Sequence, residues 1–194
     1  MSVQLGERLR LQAIVTDIVS ARSAVAGGAT AIQLRLKGAS TDAVVRAGGP
    51  FGELATTFIV NDDVEAAIAL DADGVHLGAG DQGVERALDA GLILGMSASY
   101  PQDAVGCEGR GAAYIGCGPV WPTPSKPDAG EAIGLDGLAL VCRAVRIPVV
   151  AIGGVDVSNA GACIEAGAAG VAVIRAASSA RAVREAVDAA LGLR

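Results

Sequence analysis

The feature that most constrains this chain is a pattern repeated along its whole length: short apolar runs rich in Val and Ile alternate with Ala-rich stretches of helical period. The runs predict strands at 11–16, 30–36, 56–60, 74–77, 92–96, 113–117, 148–152 and 170–174. Neither Val149-Val150-Ala151-Ile152 nor Val171-Ala172-Val173-Ile174 alternates polar with apolar residues, as expected of parallel strands covered on both faces. Helices are predicted near 18–27, 41–47, 62–70, 82–90, 101–108, 135–146, 157–166 and 178–192, with caps at Ser40 or Thr41, at Asp62 and at Ser158. Three of them end in glycine punctuation, at 26–29, 89–91 and 165–168, where a left-handed C-cap releases the chain toward the next strand.

The unit is therefore strand, helix, Gly, strand, about 24 residues long and repeated eight times. Eight consecutive βα units point to an α/β fold, a compact (β/α)8 TIM barrel of parallel strands with outer helices. An open doubly wound sheet is the other architecture of alternating elements. Its glycine phosphate loop is missing from the first βα turn, Val15-Thr16-Asp17-Ile18-Val19. At 194 residues the expectation is a single barrel domain over 1–194, with no length left for a second domain or a lid.

Charge narrows the partners. A net charge of −6 gives no broad basic footprint for nucleic acid or for an anionic membrane, and no apolar run reaches the length of a membrane span. Any polyanion bound must be small and must sit in a local basic pocket. Four cysteines, Cys107, Cys117, Cys142 and Cys163, match neither a zinc knuckle nor a CxxC pair. They read as small buried hydrophobes in a reducing compartment, so a cytoplasmic protein is expected.

In a barrel, chemistry collects where strands end and loops begin. Strand 2 runs out through Gln33-Leu34-Arg35-Leu36-Lys37, which puts three polar side chains two apart on one side. A frayed, solvated strand end is the plainer reading of such charges. Strand 3 ends in Asn61-Asp62-Asp63, and the turn after strand 4 is His76-Leu77-Gly78-Ala79-Gly80-Asp81. Asp62 and Asp81 are placed either to hold a magnesium ion that also takes phosphate oxygens, or to cap the helices that follow. The lone His76 reads as a hydrogen-bonded inner residue rather than a catalyst.

Strand 5 ends in Gly95-Met96-Ser97, and strand 6 leads into the longest irregular segment, Gly116 to Asp128, stiffened by four prolines and carrying Thr123, Ser125 and Lys126. Gly153-Gly154 follows strand 7 and Ile174-Arg175 follows strand 8, where this fold usually cradles phosphate. A tight turn is the bland reading of the glycine pair. Spacing alone thus suggests two anion sites. One is built from Arg35, Lys37, Lys126 and a metal on Asp62 and Asp81; the other from Gly154, Arg175 and the hydroxyls of Thr123 and Ser125. Two anion sites imply two phosphorylated groups.

These motifs together resemble the thiamine-phosphate synthase family: Gln33-x-Arg35-x-Lys37, Asn61-Asp62, His76-Leu77-Gly78-x-x-Asp81, Gly95-x-Ser97, Gly116-x-Gly118-Pro119-Val120-x-Pro122-Thr123-x-Ser125-Lys126 and Ala151-Ile152-Gly153-Gly154. The resemblance implies a transferase that couples a hydroxymethylpyrimidine diphosphate to a thiazole phosphate. It implies that Gln33, Arg35, Lys37, Asn61, Ser97 and Lys126 bind the pyrimidine diphosphate, with Arg35, Lys37 and Lys126 acting on the leaving group. Asp62 and Asp81 would bind Mg²⁺, and Thr123, Ser125, Gly154, Ile174 and Arg175 would hold the thiazole phosphate. Relative to the family pattern, Leu36 replaces an acidic residue, Ala79 a glutamine and Arg175 a serine, and the segment between Lys37 and Asn61 is short. The related thiazole tautomerases carry a histidine where Ser99 stands. An isomerase of that kind, or a barrel that only binds a phosphorylated ligand, are the other two classes; the isomerase would turn over without the pyrimidine diphosphate or magnesium.

Lysine usage supports the assignment of the catalytic face. The chain has only two lysines, Lys37 and Lys126, among 15 basic residues, and both fall at strand ends on that face.

Overall fold

The computed structural model describes residues 2–78, 80–123 and 130–193. Its strands are β1 (Leu11–Val15), β2 (Ala31–Leu34), β3 (Thr57–Asn61), β4 (Gly74–Leu77), β5 (Ile93–Ala98), β6 (Tyr114–Cys117), β7 (Val149–Ala151) and β8 (Gly170–Val173). Each pairs in parallel with the next, and β8 returns to β1 through Leu11↔Val171 and Ala13↔Val173, which closes the barrel. The helices are α1 (Ser2–Arg8), α2 (Ile18–Ala26), α3 (Thr41–Gly48), α4 (Val64–Ala69), α5 (Val84–Asp89), α6 (Pro101–Gly109), α7 (Gly134–Ala144), α8 (Ala160–Glu165) and α9 (Ala180–Ala190).

Two clusters of side chains follow from the strand period of two. Ile32, Leu34, Val75, Leu77, Ile115 and Cys117 join the layer packed beneath the helices, whereas Ile14, Ala31, Ile59, Tyr114, Val150 and Ala172 form a separate inner cluster. Both faces of each strand are thus covered, which is why the sequence shows continuous apolar runs.

The helix punctuation is as the sequence implies, with Gly28, Gly91 and Gly167 all at positive φ. Ser40 caps α3, its side chain accepting from the Ala43 N–H. Elsewhere the details differ. β2 ends at Leu34 rather than at 36, so Arg35 and Lys37 stand just past the strand. The cap of α4 is Asp63, not Asp62, and that of α8 is Asn159, because the Asp156 carboxylate already engages the N–H and hydroxyl of Ser158 in the preceding turn. The predicted helix at 178–192 is a 3-10 turn, Arg175–Ser179, followed by α9.

Helix α1 is absent from the sequence reading. Leu5 and Leu9 pack on the inner cluster, and a Cβ at Gly170 would sit 2.1 Å from the Leu9 carbonyl oxygen. The segment therefore seals the end of the barrel where the strands begin, leaving the opposite end open. Among the described residues, no helix is long and apolar enough to cross a membrane.

Candidate active site

A cavity of about 1020 Å³ opens at the C-terminal ends of the strands. Its walls include Gln33, Arg35, Lys37, Asn61, Asp62, Asp81 and Ser97 from β2 to β5 and the turns after them, and Thr123, Gly154, Ile174 and Arg175 from the segments after β6, β7 and β8. Eleven of the expected site residues thus line one cavity. The remaining two, Ser125 and Lys126, lie outside the described residues.

Gln33, Arg35 and Lys37 reach the cavity because the alternation of β2 continues beyond its last ladder residue. Gln33 is buried, Arg35 half-buried and Lys37 exposed at the rim, so polarity grows toward solvent along one line of side chains.

The two aspartates do not cap helices. Asp62 precedes the α4 cap, and α5 starts from Gly83 without any side-chain cap. Asp62 instead adopts a left-handed backbone (φ 66), anchored by its N–H donating to the His76 carbonyl at 2.9 Å, with its carboxyl electrostatically coupled to that of Asp81. Asp81 is fixed in turn by accepting from the Gly78 N–H. Partial loss of water at the cavity rim, followed by the interaction with Asp81, pushes the Asp62 carboxyl up to about 6; Arg35 and Asn61 pull the other way. Two hard oxygen donors that cannot both ionise comfortably suit a divalent cation. No group of three or more metal-type side chains occurs among the described residues. Two carboxylates fit Mg²⁺, which keeps most of its waters and takes phosphate oxygens rather than a full protein cage.

On the other side, the segment after β6 is mounted on the turn after β7. Val120 and Trp121 donate from their backbones to the carbonyls of Ile152 and Gly153, at 2.9 and 3.0 Å. The close approach requires glycine: a Cβ at Gly118 would lie 2.0 Å from the Ile152 oxygen, and one at Gly154 (φ 68) would lie 2.7 Å from the Trp121 Cβ. Gly154 is further held by the Asn159 amide donating to its carbonyl at 3.0 Å. Thr123 and the glycine turn line the cavity together with Arg175.

At the floor lie two buried residues that the strand pattern did not single out, Gln12 and Tyr114, together with His76, which is hydrogen-bonded within the barrel as expected. The available signal was glycine within strands: Gly95 and Gly116 each make room for a ring. The cysteines are free, and burial pushes the thiols of Cys117 and Cys163 up to about 12, which leaves them inert packing groups.

Comparison with known proteins agrees with this architecture. The family model described as thiamine monophosphate synthase matches residues 12–177. A thiamine-phosphate synthase of Pyrococcus furiosus is 40% identical over 198 residues, which cover 96% of this chain and 95% of that protein. The thiamine-phosphate synthase of Moorella thermoacetica is 44% identical over 185 residues, 88% of either chain. The solved structure of thiamine phosphate pyrophosphorylase from Pyrococcus furiosus superposes with a TM-score of 0.88 at 37% identity, covering 97% of this chain and all of that one.

Proposed function

The chain belongs to the thiamine monophosphate synthase family and is a transferase that makes thiamine phosphate, and we propose that it does so by coupling 4-amino-2-methyl-5-hydroxymethylpyrimidine diphosphate to a thiazole phosphate with release of diphosphate. The observation that carries this reading is that one cavity collects a cationic and carboxylate wall from β2 to β5 and a glycine and hydroxyl wall from β6 to β8. Each wall suits one phosphorylated partner.

Gln33, Arg35, Lys37, Asn61, Ser97 and Lys126 bind the pyrimidine diphosphate, and Thr123, Ser125, Gly154, Ile174 and Arg175 bind the thiazole phosphate. Asp62 and Asp81 hold Mg²⁺, which supplies charge neutralisation to the diphosphate when bound. Loss of diphosphate leaves a pyrimidine methylene cation, so the step needs stabilisation of the leaving group more than a general base. Arg35, Lys37 and Lys126 provide fixed positive charge where negative charge develops. The second wall holds the thiazole so that its nitrogen faces the cationic carbon at once, and the cation is captured before water reaches it. The site of action is the cytoplasm.

Tautomerase chemistry is disfavoured by Ser99. Its hydroxyl donates to the Gly118 carbonyl at 2.7 Å and ties β5 to the start of the β6 loop, so no proton-transferring group stands there. The test is turnover by the purified protein of both substrates with Mg²⁺. Thiamine phosphate and diphosphate should form in equal amounts, and chelation of the metal should stop the reaction. Absence of product, or isomerisation of thiazole phosphate alone, would overturn the reading.

A further inference from the structure

A chain of polar side chains joins the floor of the cavity, where Gln12, His76 and Ser97 line it, to the buried Tyr114 beneath. Gln12 Nε2 lies 3.4 Å from Tyr114 Oη, Tyr114 Oη lies 3.0 Å from His76 Nδ1, and His76 Nε2 lies 3.0 Å from Ser97 Oγ. The strands clear space for it. A Cβ at Gly95 would fall within 2.4 Å of the Tyr114 ring and hydroxyl, and one at Gly116 would lie 2.8 Å from His76 Cε1. Because glycines stand at both places, each ring can occupy the barrel axis.

The direction of this chain follows from counting donors. Gln12 Nε2 can only donate to Tyr114 Oη, so the phenol's single proton is left for its other partner. That proton goes to His76 Nδ1. The imidazole is then protonated on Nε2, which donates to Ser97 Oγ. With an incoming bond on its oxygen, the Ser97 hydroxyl turns its proton outward, and Ser97 lines the cavity.

We infer that Tyr114 and His76 are positioning residues that set the direction of a hydrogen-bond chain running from Gln12 to Ser97, so that the Ser97 hydroxyl donates to the bound pyrimidine diphosphate. Burial without charge suits such a chain: the phenol is held neutral, pushed well above its ordinary range by loss of water, so the proton stays in place to donate. The identity of the ligand rests on the function proposed above; the direction of the chain does not.

His76 is the only histidine, so its two ring nitrogens can be read without ambiguity in the intact protein by ¹⁵N NMR. The expected spectrum of the wild type shows a protonated Nε2 and an acceptor Nδ1 at neutral pH. A protonated Nδ1 would overturn the proposal. In Tyr114→Phe the preference for the Nε2–H form should be lost, and kcat should fall about tenfold or more with the KM for thiazole phosphate unchanged. His76→Gln, which keeps a donor within reach of Ser97, should retain several times the kcat of His76→Asn, which is too short to reach it. Equal loss in both, or a Tyr114→Phe enzyme with wild-type kcat, would reduce the chain to packing. If the NMR result holds but no thiamine phosphate forms, the functional reading fails and the directed chain stands.

Discussion

Asp62 and Asp81 show how a site can be set at the expense of the fold that carries it. The Asp62 carboxyl is raised to about 6 against 3.8 for a free carboxyl, so the folded state holds its proton more tightly than the unfolded chain does. Its contribution therefore favours folding at low pH and is lost as pH rises through about 6. A shift of this size on a shielded group corresponds to roughly 3 kcal/mol, but Asp62 is open to solvent at the rim, which reduces the effect to about 1 kcal/mol. Asp62→Asn retains a residue tolerant of the left-handed backbone. The metal-free variant should be more stable than wild type at pH 7 by about that amount in denaturant titration, with little difference at pH 4.5, and its Mg²⁺-dependent turnover should be lost. A variant that is less stable at pH 7 would contradict the paired-carboxyl picture.

The lysines make a second argument at this scale. A chain that otherwise writes arginine keeps lysine at Lys37 and Lys126; under the proposed function both act on a departing diphosphate, which a compact ammonium suits better than a planar guanidinium. Lys126→Arg should lower kcat at least tenfold in steady-state assays; an Arg variant with full activity would return both lysines to coincidence. The eleven expected residues that line the cavity were legible because they sit at or just past strand ends, where polar residues interrupt an apolar pattern. Gln12 and Tyr114 were not, since a single polar or aromatic residue inside a strand reads as core. Which of two adjacent aspartates caps α4 was also hidden, because the positive φ of Asp62 comes from its tertiary anchor on His76.

At the scale of elements, the β6 segment and the β7 turn work as one unit. Their backbones are hydrogen-bonded, and Gly154 stands against Trp121 with no room for a side chain. Gly154→Ala must strain a left-handed backbone and displace Trp121, at a cost of about 1–3 kcal/mol. Its KM for thiazole phosphate should rise several-fold while that for the pyrimidine diphosphate stays near wild type; a rise in the second alone would contradict the assignment of this turn. The prolines and glycines of these segments announced a stiff loop, but which turn it docks on is a matter of barrel closure. Helix α1 escaped notice for a different reason. It has seven residues with Gly6 inside, too short to be stable alone, and exists because Leu5 and Leu9 complete the inner cluster.

The whole molecule was the most legible level, since eight repeats of one unit leave few closed solutions and the observed strand order is sequential from β1 to β8. Closure places β2 to β5 opposite β6 to β8 around one cavity, so two phosphorylated substrates can approach each other from facing walls. That division is the central claim, and equilibrium binding tests it most directly. In calorimetric titrations with Mg²⁺ present, Arg35→Ala should bind the pyrimidine diphosphate at least tenfold more weakly than wild type and bind thiazole phosphate within twofold of it. An equal loss of both affinities would mean that the two walls do not serve separate substrates.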